Sequence, residues 1–132
     1  MSFRKEEKLK VATSKIFQLK KWINDNEGKE LYPTRKINSI YFDNTNFSMY
    51  NQSIEGVVPR KKIRLRIYGN EFLLNKDEKI NKEIKITSVE GRYKISKLVK
   101  NPLNILNLGI FDNDYGSCSP VINKIYQRSY YK

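Results

Sequence analysis

Apolar and charged side chains alternate most regularly from Lys61 to Tyr68. Lys62, Arg64, Arg66 and Tyr68 fall on one face and Ile63, Leu65 and Ile67 on the other. That period of two predicts a strand with one face against a core. The pattern returns from Lys82 to Thr87, where Glu83 and Lys85 oppose Ile84 and Ile86. Gly91 permits a turn, after which Arg92 and Lys94 share a face in the segment Arg92 to Ser96. Lys36 to Asp43, rich in Ile, Tyr and Phe, predicts another strand after Tyr32-Pro33. Val121 to Tyr131 predicts a last one, with Lys124, Tyr126, Arg128 and Tyr130 on one side. Phe3 to Val11 can form a strand as well, with Phe3, Leu9 and Val11 opposite Arg4, Glu6, Lys8 and Lys10, although Lys5 and Glu7 interrupt its apolar side.

Three-to-four spacing marks the helices. Thr13 or Ser14 can cap a helix whose apolar positions are Ile16, Leu19, Trp22 and Ile23, and Asn24 to Gly28 ends it. The turn residues Asp43 to Asn46 lead into a short helix around Phe47 to Ser53. Leu98 to Leu108 predicts a helix starting near Pro102, and Gly109 to Ser119 reads as loop. Gly69-Asn70 predicts a turn, with Phe72 to Leu74 a strand or loop beyond it. No repeat, low-complexity tract or linker divides the chain, so residues 1–132 read as one α+β domain, mainly antiparallel.

Composition narrows the chemistry. Lysine and arginine number 26 against 14 acids, a net charge of +12, which favours a nucleic acid, a phosphorylated molecule or an acidic membrane surface as partner. Lysine, asparagine and isoleucine are also abundant, so compositional drift accounts for part of the excess. Histidine is absent, which excludes Ser-His and Cys-His nucleophile pairs and His-ligated zinc. Catalysis would have to use Lys, Arg, Tyr and carboxylates, with an oxygen-loving divalent metal. The single cysteine, Cys118, cannot form an internal disulfide, as suits a reducing compartment. No apolar run reaches transmembrane length and no signal-peptide pattern follows the charged start, so the expectation is a cytoplasmic protein.

Two readings of the charged strand faces stay open at this point. One is an antiparallel sheet with a solvated face. The other is an inside-out barrel whose charged faces line a water-filled lumen while helices cover its apolar outside. Arg64 and Arg66, spaced i and i+2, can aim two forks at one multivalent anion, and phosphoryl chemistry depends chiefly on such positioning and charge neutralisation.

Several blocks carry a resemblance. Tyr32-Pro-Thr-Arg-Lys-Ile-Asn-Ser-Ile-Tyr-Phe-Asp43, Tyr50-Asn51, Lys62-Ile-Arg-Leu-Arg-Ile-Tyr-Gly69, Glu83-Ile-Lys85, Gly91-Arg-Tyr-Lys94 and Tyr126-Gln-Arg-Ser-Tyr-Tyr131 resemble the VTC domain of polyphosphate polymerases. That resemblance implies part of the CYTH-like triphosphate-tunnel barrel with flanking helices, incomplete because the family's C-terminal strands are missing after residue 132. It implies ATP or another triphosphate as phosphoryl donor, inorganic polyphosphate as product, and Mn²⁺ or Mg²⁺ as cofactor. By matching position, Lys8, Arg64, Arg66, Lys85, Lys94 and Arg128 would contact phosphates, with Lys62 and Arg92 as additional candidates. Glu6 and Glu83 would hold the metal, orient the basic residues, or offset the lumen charge through salt bridges. No catalytic residue is assigned.

Four functions follow as expectations. The first is a phosphotransferase that moves the terminal phosphoryl group of ATP onto a growing polyphosphate chain. The second is a non-catalytic polyphosphate- or nucleotide-binding fragment. The third, a basic nucleic-acid-binding module, is disfavoured because it needs aromatics exposed beside the cations. The fourth is a gene fragment without independent function. A second polypeptide or a second copy could close the tunnel.

Overall fold

The computed structural model describes residues 6–68 and 80–132. Its chain falls into two compact units, Met1–Arg35 with Arg128–Lys132, and Lys36–Gln127. Two long strands, β1 (Glu30–Asp43) and β6 (Gly116–Tyr131), contribute residues to both. The predicted turn and strand over residues 69–79 lie outside the described residues.

In the first unit a 3-10 turn, Thr13–Lys15, leads into helix α1, Ile16–Asp25. Neither Thr13 nor Ser14 caps it: Lys15 occupies the cap position and no side chain bonds the first turn. Residues 6–12 carry no strand, against the expectation for Phe3 to Val11. Lys5 and Glu7 break the apolar side there, and alternation alone does not make a strand without a paired neighbour. After α1 the chain reverses at Gly28, whose backbone N–H donates to the Ile23 carbonyl at 2.8 Å. A Cβ at Gly28 would collide with the Ile23 side chain and carbonyl, which is why this turn needs glycine. Lys29 and Lys132 then exchange both backbone hydrogen bonds at 2.9 Å, and Tyr32 meets Tyr130 edge to face at 5.7 Å.

The second unit is built on the sheet. Among the described residues the strand order is β4-β3-β2-β1-β6-β5, six strands, with β4 and β5 at its two ends. Here β2 is Arg60–Tyr68, β3 Ile80–Ser88, β4 Gly91–Val99 and β5 Ile110–Asp112. The β1/β2, β2/β3, β3/β4 and β5/β6 pairs are antiparallel. Helices α2 (Ser48–Glu55) and α3 (Pro102–Leu108) complete an α+β architecture, as predicted. Gly109 to Ser119, read as loop, instead holds the short hairpin of β5 and the start of β6.

One face of the sheet is apolar. Phe42, Ile63, Leu65, Ile67, Ile80, Ile110 and Cys118 are buried together with Met49 of α2, and Ile105 and Leu106 of α3 pack on them. Removal of this apolar area from water is the main force holding helices to sheet. The last residue of β1 anchors α2: the Asp43 carboxylate accepts backbone N–H bonds from Asn44, Met49 and Tyr50 at 2.8, 3.1 and 3.0 Å. Lys61 ties β2 to the β5/β6 hairpin through Asp112 at 3.2 Å and Asp114 at 2.5 Å. None of the described helices is long and apolar enough to cross a membrane.

Candidate functional site

The opposite face of the second unit's sheet collects the predicted cations. Because side chains alternate, Lys62, Arg64 and Arg66 of β2 share that face with Glu83 and Lys85 of β3 and with Arg92 and Lys94 of β4. Register then sorts them into rows. Tyr41, Arg64, Glu83 and Ser96 stand directly opposite one another across four strands, and Ser39, Arg66 and Asn81 form the next row. On the other side of the Arg64 row, Lys62 faces Lys85 and Lys85 faces Lys94. Three like charges in one cross-strand line repel at Cβ spacings of about 5 Å.

The Arg64 row is internally compensated. Glu83 is only 2% exposed and Arg64 only 5%. Arg64 Nε donates to Glu83 Oε2 at 2.7 Å, Nη2 approaches the same oxygen at 2.6 Å, and Nη1 donates to the Tyr41 hydroxyl at 3.1 Å. Lys94 Nζ lies 3.5 Å from Glu83 Oε1, and Arg66 Nη1 lies 4.0 Å from Oε2. Arg66, 6% exposed, is held by hydroxyls: Nε donates to Ser39 Oγ at 3.0 Å and Nη2 to Tyr126 Oη at 3.2 Å. Both arginines are thus buried within the charged face. Paired geometry and hydroxyl acceptors offset the cost of taking them out of water.

Electrostatics follow the geometry. Burial pushes the Glu83 carboxyl up, but the Arg64 hydrogen bond and the charges of Arg64, Lys94 and Arg66 outweigh it, leaving it below the ordinary carboxylate value. The Tyr41 phenol is raised by burial and lowered more by the Arg64 hydrogen bond and by Arg64, Arg66 and Lys124, for a net fall. Burial lowers the Lys85 ammonium, and Arg64 and Arg66 lower it further against the smaller pull of Glu83 and Tyr41. Lys85 is exposed, so its charge can be met by an anion from solution.

The remaining predicted residues belong to the first unit. Lys8 and Glu6 are both exposed and lie 3.8 Å apart. Arg128 lies with its guanidinium 6.0 Å from the Tyr130 ring centroid, and Arg35 donates to the Tyr130 hydroxyl at 3.1 Å. Pattern reading did not assign Ser39, Tyr41 or Tyr126 to the site. Ser39 and Tyr41 alternate with Ile40 and Phe42, a signal that would have placed them on one strand face. Among the described residues no group of three or more Cys, Asp or Glu side chains is arranged to hold a metal ion.

Comparison with known proteins gives one positive result. A family model, the VTC domain, matches residues 3–130. No curated protein and no solved structure matches the chain. With nearly its whole length covered by that match, and the sheet's cations on the blocks that suggested the resemblance, the chain belongs to the VTC domain family.

Proposed function

We propose that the basic sheet face binds a triphosphate or polyphosphate chain, and that the protein moves the terminal phosphoryl group of ATP onto growing polyphosphate. The observation that carries this reading is the cross-strand line Lys62, Lys85 and Lys94 beside the Arg64 and Arg66 forks, in a chain of the VTC family. Repelling lysines in one row are explained by a multivalent anion that bridges them. Phosphoryl transfer is served by such cations because charge builds on the phosphate oxygens, and donors already in place need little reorganisation.

Among the described residues this face holds no protein cage for the Mn²⁺ or Mg²⁺ implied by the family. Glu83 presents its two oxygens to Arg64 and Lys94, with Arg66 4.0 Å away, so a divalent ion there would face three cations. Mg²⁺ is commonly carried on substrate phosphates with few protein ligands, and the metal would enter in that form. The position of Glu83 favours its role as the residue that orients Arg64.

The test is incubation of the protein with ATP and Mn²⁺, followed by gel analysis of polyphosphate and assay of released phosphate. Chain growth that disappears in Lys85→Gln supports the reading, and neither growth nor release overturns the transferase activity. Commitment of Glu83 to cations favours a second reading, binding without turnover. Under it, tripolyphosphate at about 100 times its Kd stabilises the fold by about 2.7 kcal/mol while ATP is not consumed. The half-buried Tyr41 and Tyr126 accept from arginines, an arrangement that serves phosphate binding better than base stacking.

A further inference from the structure

β1 carries two hydroxyl residues, Ser39 and Tyr41, at i and i+2, and its register sets Ser39 opposite Arg66 and Tyr41 opposite Arg64. Each hydroxyl accepts from the arginine it faces, at 3.0 Å for Ser39 and 3.1 Å for Tyr41. We propose that Ser39 and Tyr41 are positioning residues: Ser39 fixes the Arg66 fork through a neutral contact that leaves its charge for a condensed phosphate chain, and Tyr41 steadies the Arg64 nitrogen that Glu83 does not hold. The inference rests on the phosphate-binding reading above and names the device that gives that face its preference for a chain over a single phosphate.

A fork can be held by a carboxylate or by a hydroxyl, and the two differ in what remains. A carboxylate fixes the geometry and cancels the charge, as Glu83 does at Nε and Nη2 of Arg64. A hydroxyl fixes the geometry and leaves the charge. Arg66 shows the second case most clearly. Its Nε and Nη2 rest on the Ser39 and Tyr126 hydroxyls, while Glu83 stays 4.0 Å from Nη1. Ser39 is fully buried, so its oxygen acts on Arg66 from inside the sheet and is not itself a ligand contact. On Arg64, Tyr41 takes the one guanidinium nitrogen that Glu83 does not. The two forks converge on Glu83 Oε2, at 2.6 and 4.0 Å, but from the Arg66 row to the Lys62–Lys85 row is four residues of β2, about 13 Å, a span that a phosphate chain bridges and a single phosphate does not. Loss of Ser39 would loosen the Arg66 fork and loss of Tyr41 would release Nη1 of Arg64, and either would cost the bridging ligand most.

The experiment measures affinity for tripolyphosphate and for orthophosphate by calorimetry in wild type, Ser39→Ala, Ser39→Thr and Tyr41→Phe. Expected is a fall of about fivefold to tenfold for tripolyphosphate in Ser39→Ala and in Tyr41→Phe, the size of one ordinary lost hydrogen bond. Orthophosphate affinity should change less than about twofold, and Ser39→Thr should restore tripolyphosphate binding. Equal loss for both anions, or no loss for either, overturns the inference. A second readout needs no ligand: hydrogen exchange of the arginine Nε–H groups by NMR. Ser39→Ala should speed exchange at Arg66 and leave Arg64, held by Glu83, unchanged; unchanged exchange at Arg66 overturns the assignment. Wild type that binds no tripolyphosphate defeats the phosphate-binding reading itself, and the inference with it. That outcome is distinct from normal wild-type binding with unaffected variants.

Discussion

Glu83 is the residue on which the charged face turns, since Arg64, Arg66 and Lys94 all point to its carboxylate. Its carboxyl is held below the ordinary value in the folded chain, so it stabilises the fold above its unfolded pKa and loses that contribution as pH falls. The window lies on the acid side of about 4.5, the ordinary value. Glu83→Gln leaves buried guanidinium charge without its partner and should destabilise by about 3–5 kcal/mol at neutral pH. It should also flatten the acid limb of the stability curve. Urea denaturation at neutral pH, and again between about pH 5 and pH 3, checks both. Alternation alone placed Arg64, Arg66 and Glu83 on strand faces. It could not say that Arg64 meets Glu83 while Arg66 meets Ser39, because that depends on register, and register is set by turns and partners far away in sequence.

Among the elements, β2, β3 and β4 were legible because about five or more consecutive residues kept alternation, and β1 through its Ile, Tyr and Phe content. The β5/β6 hairpin was not: β5 has three residues, too few to show a period, and the glycines around it suggest loop. One of them is required by the packing. At Gly109, φ is 79°, and a Cβ would collide with the Cys118 carbonyl, so that glycine lets α3 end against the hairpin. Helix α2 was visible as a turn followed by a short apolar pattern, but its true anchor is Asp43, outside the helix and in the strand before it. Asp43→Ala should therefore cost about 1–2 kcal/mol, the range for losing an N-terminal carboxylate cap. Chemical denaturation followed by circular dichroism measures it, and an unchanged midpoint would refute the capping role.

For the molecule as a whole, the excess of 26 cations over 14 acids was legible as a preference for anions and no more. The sheet gives part of that charge an address. If polyphosphate binds at the lysine row, the logarithm of its affinity should fall linearly with the logarithm of salt concentration, and Lys62→Gln or Lys85→Gln should reduce the slope by about one each. A variant on the other face, such as Lys61→Gln, should leave that slope unchanged, because Lys61 is engaged with Asp112 and Asp114. Titrations over a range of salt concentrations decide between a localised site and diffuse attraction by net charge.

The same row bears on how this protein can evolve or be engineered. Lys85 has a lysine directly opposite it on each neighbouring strand, so a neutral residue at 85 relieves repulsion on both sides. Selection for thermal stability alone would enrich such replacements and erase the anion site without any sign of damage in the fold. Stability and binding compete at this one position, and a library screened for one must be counter-screened for the other.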